Sequence, residues 1–338
     1  MDHPAAGILN IGNTCYLNTA LQCLGHCASF RKLFIDKNYP HEKEFFNHMK
    51  NIYKLQCQPN SSGVVNPVEF ARSLQKTLKI HICEQNDITE FLSLLLDKLN
   101  TEISVNAKDR MLTIVENTEY ADTSYERQRK KMDIDWCEKI GKEYSDIVPM
   151  LYGQQISQII CNSCNKIWHN YEVYQQISVA IPNRNTNHPN HHPQTPSITS
   201  CIIKHFEDMQ LGEWKCDKCG KGQGSSQTAL LWRNPKILIV SLKRFEFDPR
   251  SGNFVKNNTP VNVPHTLDLS SKTIGKTKKS YHLKSVAFHS GSYHGGHYHA
   301  ICINTDGTCY GYDDETVHTL SAAPNNIGQG YVFFYESA

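Results

Sequence analysis

The sequence predicts an α+β fold, helical in its first part and sheet-rich in its last. Apolar residues recur at helical spacing through roughly the first hundred positions. After Pro149 the pattern switches to alternation rich in Ile, Val and Tyr, the signature of strands. The C-terminal third then carries several separate strand-like stretches. Helices gathered first and strands gathered later, without regular alternation, define the α+β class.

The elements follow in order. After Cys15, Leu17, Ala20, Leu21 and Leu24 keep helical spacing, and Asn13 and Thr14 precede them as capping candidates. "HEKEFFNHMKNIYKL" (41–55) and "NPVEFARSLQKTL" (66–78) carry similar stripes. Asn66 and Pro67 read as an N-cap followed by proline at the first helical position. "QNDITEFLSLLLDKLN" (85–100) is strongly amphipathic, with Asn86 or Asp87 as its cap. Residues 120–147 are charged and contain "YERQRKKMD", which reads as a solvated helix or loop. "GQQISQIICNSCNKIWHNYEVYQQISVAIP" (153–182) alternates as strands do. "NRNTNHPNHHPQTPS" (183–197) reads as a loop, and its histidines have no regular ligand spacing. "ITSCIIKHFEDMQL" (198–211) returns to helical periodicity. "PKILIVSLKRFEF" (235–247), "YHLKSVAFHSG" (281–291), "HYHAICIN" (297–304) and "YVFFYE" (331–336) read as strands. No internal repeat is visible.

The length of 338 residues admits roughly two or three domain-sized units, or one large domain with an inserted lobe. At 39% hydrophobic and 20% charged, the chain has the means to bury a core and is not compositionally disordered. Its formal charge of +2 gives no drive toward a polyanion, so nucleic acid is not an expected partner. No apolar run approaches the ~20 residues that span a bilayer, so no membrane partner is expected either. The start, "MDHPAAGILN", lacks a basic region followed by an apolar one, the form of a secretory signal. A cytoplasmic or nuclear setting is therefore expected. There the thirteen cysteines are expected as thiols, nucleophiles or metal ligands and not as disulfides.

Two C-x-x-C pairs stand out, Cys161 with Cys164 ("CNSC") and Cys216 with Cys219 ("CDKC"). Such pairs suit a tetrahedral Cys₄ zinc site, because each knuckle points two thiolates at one ion. The gap between them exceeds compact ribbon spacing, but both flanks ("CNSCNK", "CDKCGK") look like hairpin turns. Neither pair follows a strand and opens a helix, as a thioredoxin-like redox pair does. Four cysteines leave no open position for water, so the zinc is expected to be structural. Its expected role is to clip the ends of a lobe too thin to hold itself.

Cys15 sits in the first turn of its helix, where the dipole and free backbone N–H groups favour thiolate. A nucleophile also needs a base. In "SYHGGHYHAICIN" (292–304), Gly295 and Gly296 permit close approach of backbone or substrate, and His297 opens a strand. "GTCYGYDDETV" (307–317) offers Asp313 and Asp314 on the next hairpin strand. Pairing of these strands would set Asp313 beside His297, giving the logic of nucleophile, base and orienting acid.

The stretch "GILNIGNTCYLN" then resembles the cysteine box of the ubiquitin-specific proteases, the papain-like deubiquitinases. That box reads Gly-Leu-x-Asn-x-Gly-Asn-Thr-Cys-Tyr-x-Asn-x-x-x-Gln. Gly7, Asn10, Gly12, Asn13, Thr14, Cys15, Tyr16, Asn18 and Gln22 match it in register, with Ile8 in place of leucine. The histidine box is similar through "YHLKSVAFHSG", "GGHYHA", "YGYDDETV" and "YVFFYE". "QNDITEFL", the CxxC pairs and "PKILIVSLKRF" lie between in the family's order, so the likeness spans residues 7–336.

The resemblance implies a papain-like α+β fold shaped as a hand, one catalytic domain over 1–338. A helical thumb would span 1–110, inserted zinc-clipped β fingers 155–230 and a palm 231–338. It implies a thiol isopeptidase that cleaves after the C-terminal glycine of ubiquitin, acting as a monomer on ubiquitinated proteins. Cys15 would be the nucleophile, His297 the base and Asp313 its orienting acid. Asn10 would supply the oxyanion hole, with Asp314 assisting there or supporting the triad. Asp87 and Glu90 would meet the basic tail of ubiquitin, and Tyr298, Gly295 and Gly296 would shape a channel narrow enough to select its glycines. The helix motif, usually Gln-Gln-Asp-Ala-Gln/His-Glu-Phe, is altered here at Asn86 and Thr89. In the motif Trp-Tyr-x-Phe-Asp-Asp, Cys309 replaces Trp, which removes aromatic packing but no catalytic group. The chain is expected to begin almost at the cysteine box and to carry no flanking targeting domain. Three alternatives stand beside this reading. They are a catalytically weak ubiquitin-binding module, a protease for a ubiquitin-like modifier, and a zinc-ribbon nucleic-acid binder, the last disfavoured by the charge balance.

Overall fold

The computed structural model describes residues 6–57, 63–81, 83–182, 195–212, 214–221, 225–277, 280–304, 306–320, 322 and 325–337. Most of the histidine-rich loop, 183–194, lies outside the described residues. Helices come first: α1 (Cys15–His26), α2 (Ala28–Asp36), α3 (Glu44–Gln56), α4 (Val68–Leu78), α5 (Ile88–Ile103), α6 (Lys108–Glu116), α7 (Ser124–Ile140) and the single turn α8 (Val148–Leu151). Strands β1 (Gly153–Ile160), β2 (Ile167–Tyr174) and β3 (Gln176–Ala180) follow, then α9 (Ile198–His205). The rest is strand: β4 (Met209–Leu211), β5 (Ser225–Arg233), β6 (Ile237–Lys243), β7 (Phe245–Asp248), β8 (Asn253–Lys256) and β9 (Thr266–Asp268). The chain finishes with β10 (Ser280–Ser292), β11 (Gly295–Ile303), β12 (Cys309–Asp313), β13 (Thr316–Leu320) and β14 (Val332–Ser337). No described helix is long and apolar enough to cross a membrane.

The strands form three sheets. An eight-stranded sheet runs β13-β12-β11-β10-β14-β6-β3, with β9 pairing the first residues of β10. A four-stranded sheet runs β2-β1-β5-β4, and β7 with β8 makes a separate hairpin. Only the β3–β6 pair of the large sheet is parallel. β3 lies between the strands of the smaller sheet in sequence yet joins the larger one, and α9 packs on it.

Two cores sandwich the large sheet. The helical layer meets one face through residues such as Leu21, Phe91, Leu95 and Ile239. On the other face α9 contributes Ile198, Cys201 and Ile202 against Val240, Phe288 and Phe333. Every residue of α1 is buried, because α1 lies between the other helices and β10–β11. A helix so placed has no solvent side, which explains its lack of a charged face. The small sheet has only a slight core of its own, Met132, Ile156 and Trp232.

Several local expectations shift. Pro67 is itself the N-cap of α4, so the helix starts one position later than expected, and Asn66 Oδ1 still accepts the Val68 N–H at 3.0 Å. Asp87 caps α5, accepting from Thr89 N at 2.7 Å and Glu90 N at 3.4 Å. The helix expected over 198–211 ends at His205, because 209–211 pairs with β5. The charged segment 120–147 is largely α7, and it buries Met132, Trp136, Cys137 and Ile140 along one narrow stripe.

The strand expected over 235–247 breaks at Arg244, between β6 and β7. Arg244 is 1% exposed. Its Nε donates to Gly330 O, Nη1 to Asn257 O and Thr259 O, and Nη2 to Gly328 O, all at 2.9 Å. Burial pulls its pKa down to about 10, so it stays charged at neutral pH. This one side chain ties the 257–259 and 328–330 loops to the sheet. Arg244→Met removes four hydrogen bonds, leaves the buried Gly330 carbonyl without this donor, and is expected to cost about 3 kcal/mol in urea denaturation.

Candidate active site

α1 starts at Cys15 with Thr14 as its N-cap, but the Thr14 side chain does not cap it. Thr14 Oγ1 instead donates to Asn10 Oδ1 at 3.1 Å and accepts from Ile11 N at 3.2 Å. The preceding turn is thus folded on itself, and the helix's first N–H groups are left for other acceptors. Cys15 is 5% exposed. Burial pushes its thiol above the ordinary range, and the Asp314 carboxylate adds to the rise. The backbone N–H groups of Tyr298, Tyr16 and Cys15 itself oppose it without prevailing. The sequence reading expected a lowered pKa from the helix terminus. Desolvation reverses the sign.

β11 carries His297, and its Tyr298 N–H is directed at the Cys15 thiol. β11 pairs with β12 in the register Ala300↔Tyr312. Continuing that register sets Asp313 against His299, which makes His297 its diagonal neighbour on the same face. His297 Nε2 and Asp313 Oδ1 are 2.5 Å apart. The pairing proposed from spacing is thus present in the folded chain.

Asp314 follows in the left-handed region, φ +50°. That turn aims its carboxylate at the cysteine box. Oδ2 accepts from Asn10 Nδ2 at 2.8 Å and Oδ1 from Asn18 Nδ2 at 2.7 Å. The Asp314 carbonyl accepts the Ile8 N–H at 2.9 Å. Asn10 is therefore held at both ends of its amide, by Thr14 on Oδ1 and Asp314 on Nδ2. A primary amide has two N–H donors, so one remains after the bond to Asp314. Gly7 permits this docking, since a Cβ there would fall on the Glu315 backbone.

Cys15 opens into a cleft of about 430 Å³. Gln85, Asp87 and Glu90 line its helical side, and Gly295, Gly296 and Tyr298 the sheet side. Asp87 Oδ2 accepts from Tyr331 OH at 2.8 Å and Tyr298 OH at 3.5 Å, which ties α5 to β11 and the start of β14. Burial, then the Asp87 charge, raises both phenols, so they stay donors. Glu90 is exposed on the rim. His289, also in the wall, is driven down to about 4 by burial and by Lys256, so it is neutral at physiological pH. The cleft is thus aromatic, with uncompensated acidity on its helical side. Sequence reading matched Asn18 to the cysteine box without giving it a role, and gave none to Tyr331 or His289. Their roles depend on contacts across the fold, which local pattern does not show.

At the tip of the small sheet the two C-x-x-C pairs meet. Cys161 Sγ lies 3.8 Å from Cys219 Sγ, and Cys164 Sγ lies 3.7 Å from Cys216 Sγ. All four sulfurs fall within 4.8 Å of one another. A tetrahedron with metal–sulfur bonds of about 2.3 Å has edges of about 3.8 Å, so the set fits a thiolate-bound ion. The knuckles are alike. Asn165 N bonds Cys161 O at 2.8 Å with φ +54°, and Gly220 N bonds Cys216 O at 2.8 Å with φ +67°.

A buried cysteine heading a central helix, packed on the strand that carries the histidine of a histidine–aspartate pair, is the arrangement of the papain-like thiol hydrolases. Comparison with known proteins narrows the class. The family model for ubiquitin carboxyl-terminal hydrolase matches residues 6–335, and the chain belongs to that family. Ubiquitin carboxyl-terminal hydrolase 5 of Saccharomyces cerevisiae is 28% identical over 98% of this chain and 44% of its own length. Ubiquitin carboxyl-terminal hydrolase 21 of Homo sapiens is 26% identical over 98% of this chain and 61% of its own. The chain thus spans less than two thirds of these relatives. A solved structure of the SAGA Ubp8/Sgf11/Sus1/Sgf73 DUB module bound to ubiquitin aldehyde shares the fold. Its TM-score is 0.74 at 19% identity, over 100% of this chain and 70% of that one.

Proposed function

We propose that the protein is a deubiquitinase, a thiol-dependent hydrolase of the isopeptide bond after the C-terminal glycine of ubiquitin. The observation that carries this is the 2.5 Å pairing of Asp313 with His297, which lies on β11, the strand packed against the helix that Cys15 heads. His297 takes the Cys15 proton, which burial otherwise holds on sulfur. The thiolate attacks the carbonyl carbon, and the remaining Asn10 N–H and the first N–H groups of α1 receive the developing oxyanion. His297 returns the proton to the departing lysine amine, leaving a thioester. Water, activated by His297, then hydrolyses it and restores the thiol.

The acids Asp87 and Glu90 favour a basic, extended tail, and Gly295 and Gly296 keep its path narrow. Ubiquitin and ubiquitinated proteins are the partners this cleft suits, in the cytoplasm or nucleus. The Cys161, Cys164, Cys216, Cys219 set would hold structural zinc, which, when bound, fixes the two knuckles together. Reaction with ubiquitin carrying a C-terminal electrophile is expected to modify Cys15 and to fail in Cys15→Ala. An adduct that survives Cys15→Ala, or that forms only with a ubiquitin-like probe, overturns the assignment.

Asp314→Ala frees both Asn10 and Asn18. It is expected to lower kcat about tenfold to a hundredfold with little change in KM, since an oxyanion donor acts only in the transition state. Steady-state kinetics on a ubiquitin C-terminal fluorogenic amide reads this directly.

A further inference from the structure

Gln85 stands in the turn before α5, and its side chain reaches across the cleft to β11. Its Oε1 accepts the Gly296 N–H at 2.9 Å, and its Nε2 donates to the Gly296 carbonyl at 3.2 Å. One glutamine thus satisfies both backbone groups of one residue. Opposed residues of an antiparallel pair exchange the same two bonds.

The place matters. Gly296 is paired with Gly291 of β10 on one side. On the other side β12 pairs only from Ala300 onward, so among the described residues no strand covers the edge of β11 before it. That bare edge leads toward the residue whose N–H faces the Cys15 thiol, and it lines the same cleft. A Cβ on Gly295 would come 2.6 Å from Gln85 Oε1, and one on Gly296 would meet the Ser290 carbonyl and the His289 ring. Gly295 therefore admits a chain, or a carboxamide, flush against the backbone, while Gly296 lets β11 pack closely on β10. Gln85 is exposed to solvent.

We propose that Gln85 is a surrogate for the substrate strand: its carboxamide occupies the Gly296 backbone groups in the free enzyme and swings out when an extended, glycine-terminated tail adds to the edge of β11. This rests on the cleft being the channel for the ubiquitin tail. Gln85 is then a specificity residue. A segment displaces it only by making both backbone bonds itself, which requires an extended chain lying close to two glycines. A chain with a bulky residue at that point leaves Gln85 in place.

The test uses wild type, Gln85→Ala and Gln85→Glu, the last keeping the size but losing the donor to the carbonyl. Hydrogen exchange on the free proteins is expected to show the Gly296 amide protected in wild type and fast in Gln85→Ala. With a ubiquitin fluorogenic amide, both variants are expected to lower KM by roughly threefold to tenfold, the scale of one or two neutral hydrogen bonds no longer competed for. Alkylation of Cys15 by iodoacetamide, too small to use the β11 edge, should proceed at the wild-type rate, which separates this from a disturbed site. A fast Gly296 amide in wild type, or an unchanged or higher KM in both variants, overturns the proposal. Failure of wild type to react with a ubiquitin electrophile would instead remove the reading of the cleft. The exchange measurement decides the free-state contact independently of it.

Discussion

His297→Ala is expected to lower kcat/KM on a ubiquitin substrate by about 10⁴-fold, the upper range for a lost general base. The size follows from the burial of Cys15. An exposed thiol ionises appreciably on its own near neutral pH, so loss of its base is partly forgiven. Here burial holds the proton on sulfur, and the nearby Asp314 charge adds to the penalty. The pH profile carries the same signature. A raised thiol pKa means the thiolate fraction climbs with rising pH and saturates only above the ordinary thiol range. The residual activity of His297→Ala should therefore keep increasing as the medium is made alkaline, where wild type has reached its plateau. A flat residual rate would count against His297 as the group that takes the Cys15 proton. Asp313→Asn should fall between the two, because it keeps the 2.5 Å contact but not its charge.

The other large effect is expected at the fingertip knuckles. Among the described residues, the core under the four-stranded sheet is small, Ile156 and Trp232 packed on Met132 of α7, too little to hold it. Binding of a thiolate-held zinc supplies on the order of 10 kcal/mol. Strong chelation, or Cys161→Ser or Cys216→Ser, is expected to release one zinc per chain and to melt β1, β2, β4 and β5 first. The large sheet, with its own two cores, should outlast them. Zinc release read with a colorimetric chelator, alongside near-ultraviolet circular dichroism of Trp168 and Trp232, follows both events. Full retention of the small sheet after metal removal would show that the knuckles are held by hydrogen bonds alone. Ubiquitin binding should weaken along with the sheet, while iodoacetamide still reaches Cys15.

How much of this was legible in the sequence depends on the range of the interaction. Cys15, His297 and Asp313 could be picked out as candidates because each signal is local: a helix start, a strand after two glycines and the end of the next hairpin strand. The zinc set was legible because two short knuckles state their geometry within six residues each. What sequence reading got wrong concerned environment. The Cys15 pKa came out with the opposite sign, since nothing in "GNTCYLN" reveals that α1 is enclosed on every side. Arg244 looked like part of a continuous strand, because its four carbonyl partners lie up to 86 residues away. Gln85 could be matched to a motif position, but its bond to Gly296 depends on the fold bringing α5 to β11. Asp314 was expected to assist the oxyanion site or the triad, but the left-handed backbone that aims it at Asn10 and Asn18 is set by the fold and not by the local pattern.

The enclosure of α1 bears on how this molecule wears out. A nucleophile on a surface loop is lost early in heating, when the loop frays and the rest survives. Here Cys15, the proposed nucleophile, heads a helix with no outward face, enclosed by the other helices and the large sheet. Local opening of that helix would expose a large part of the main core, so its free energy approaches that of the whole domain. Catalytic inactivation on heating should therefore track global unfolding closely, with no earlier phase of silent damage to the nucleophile.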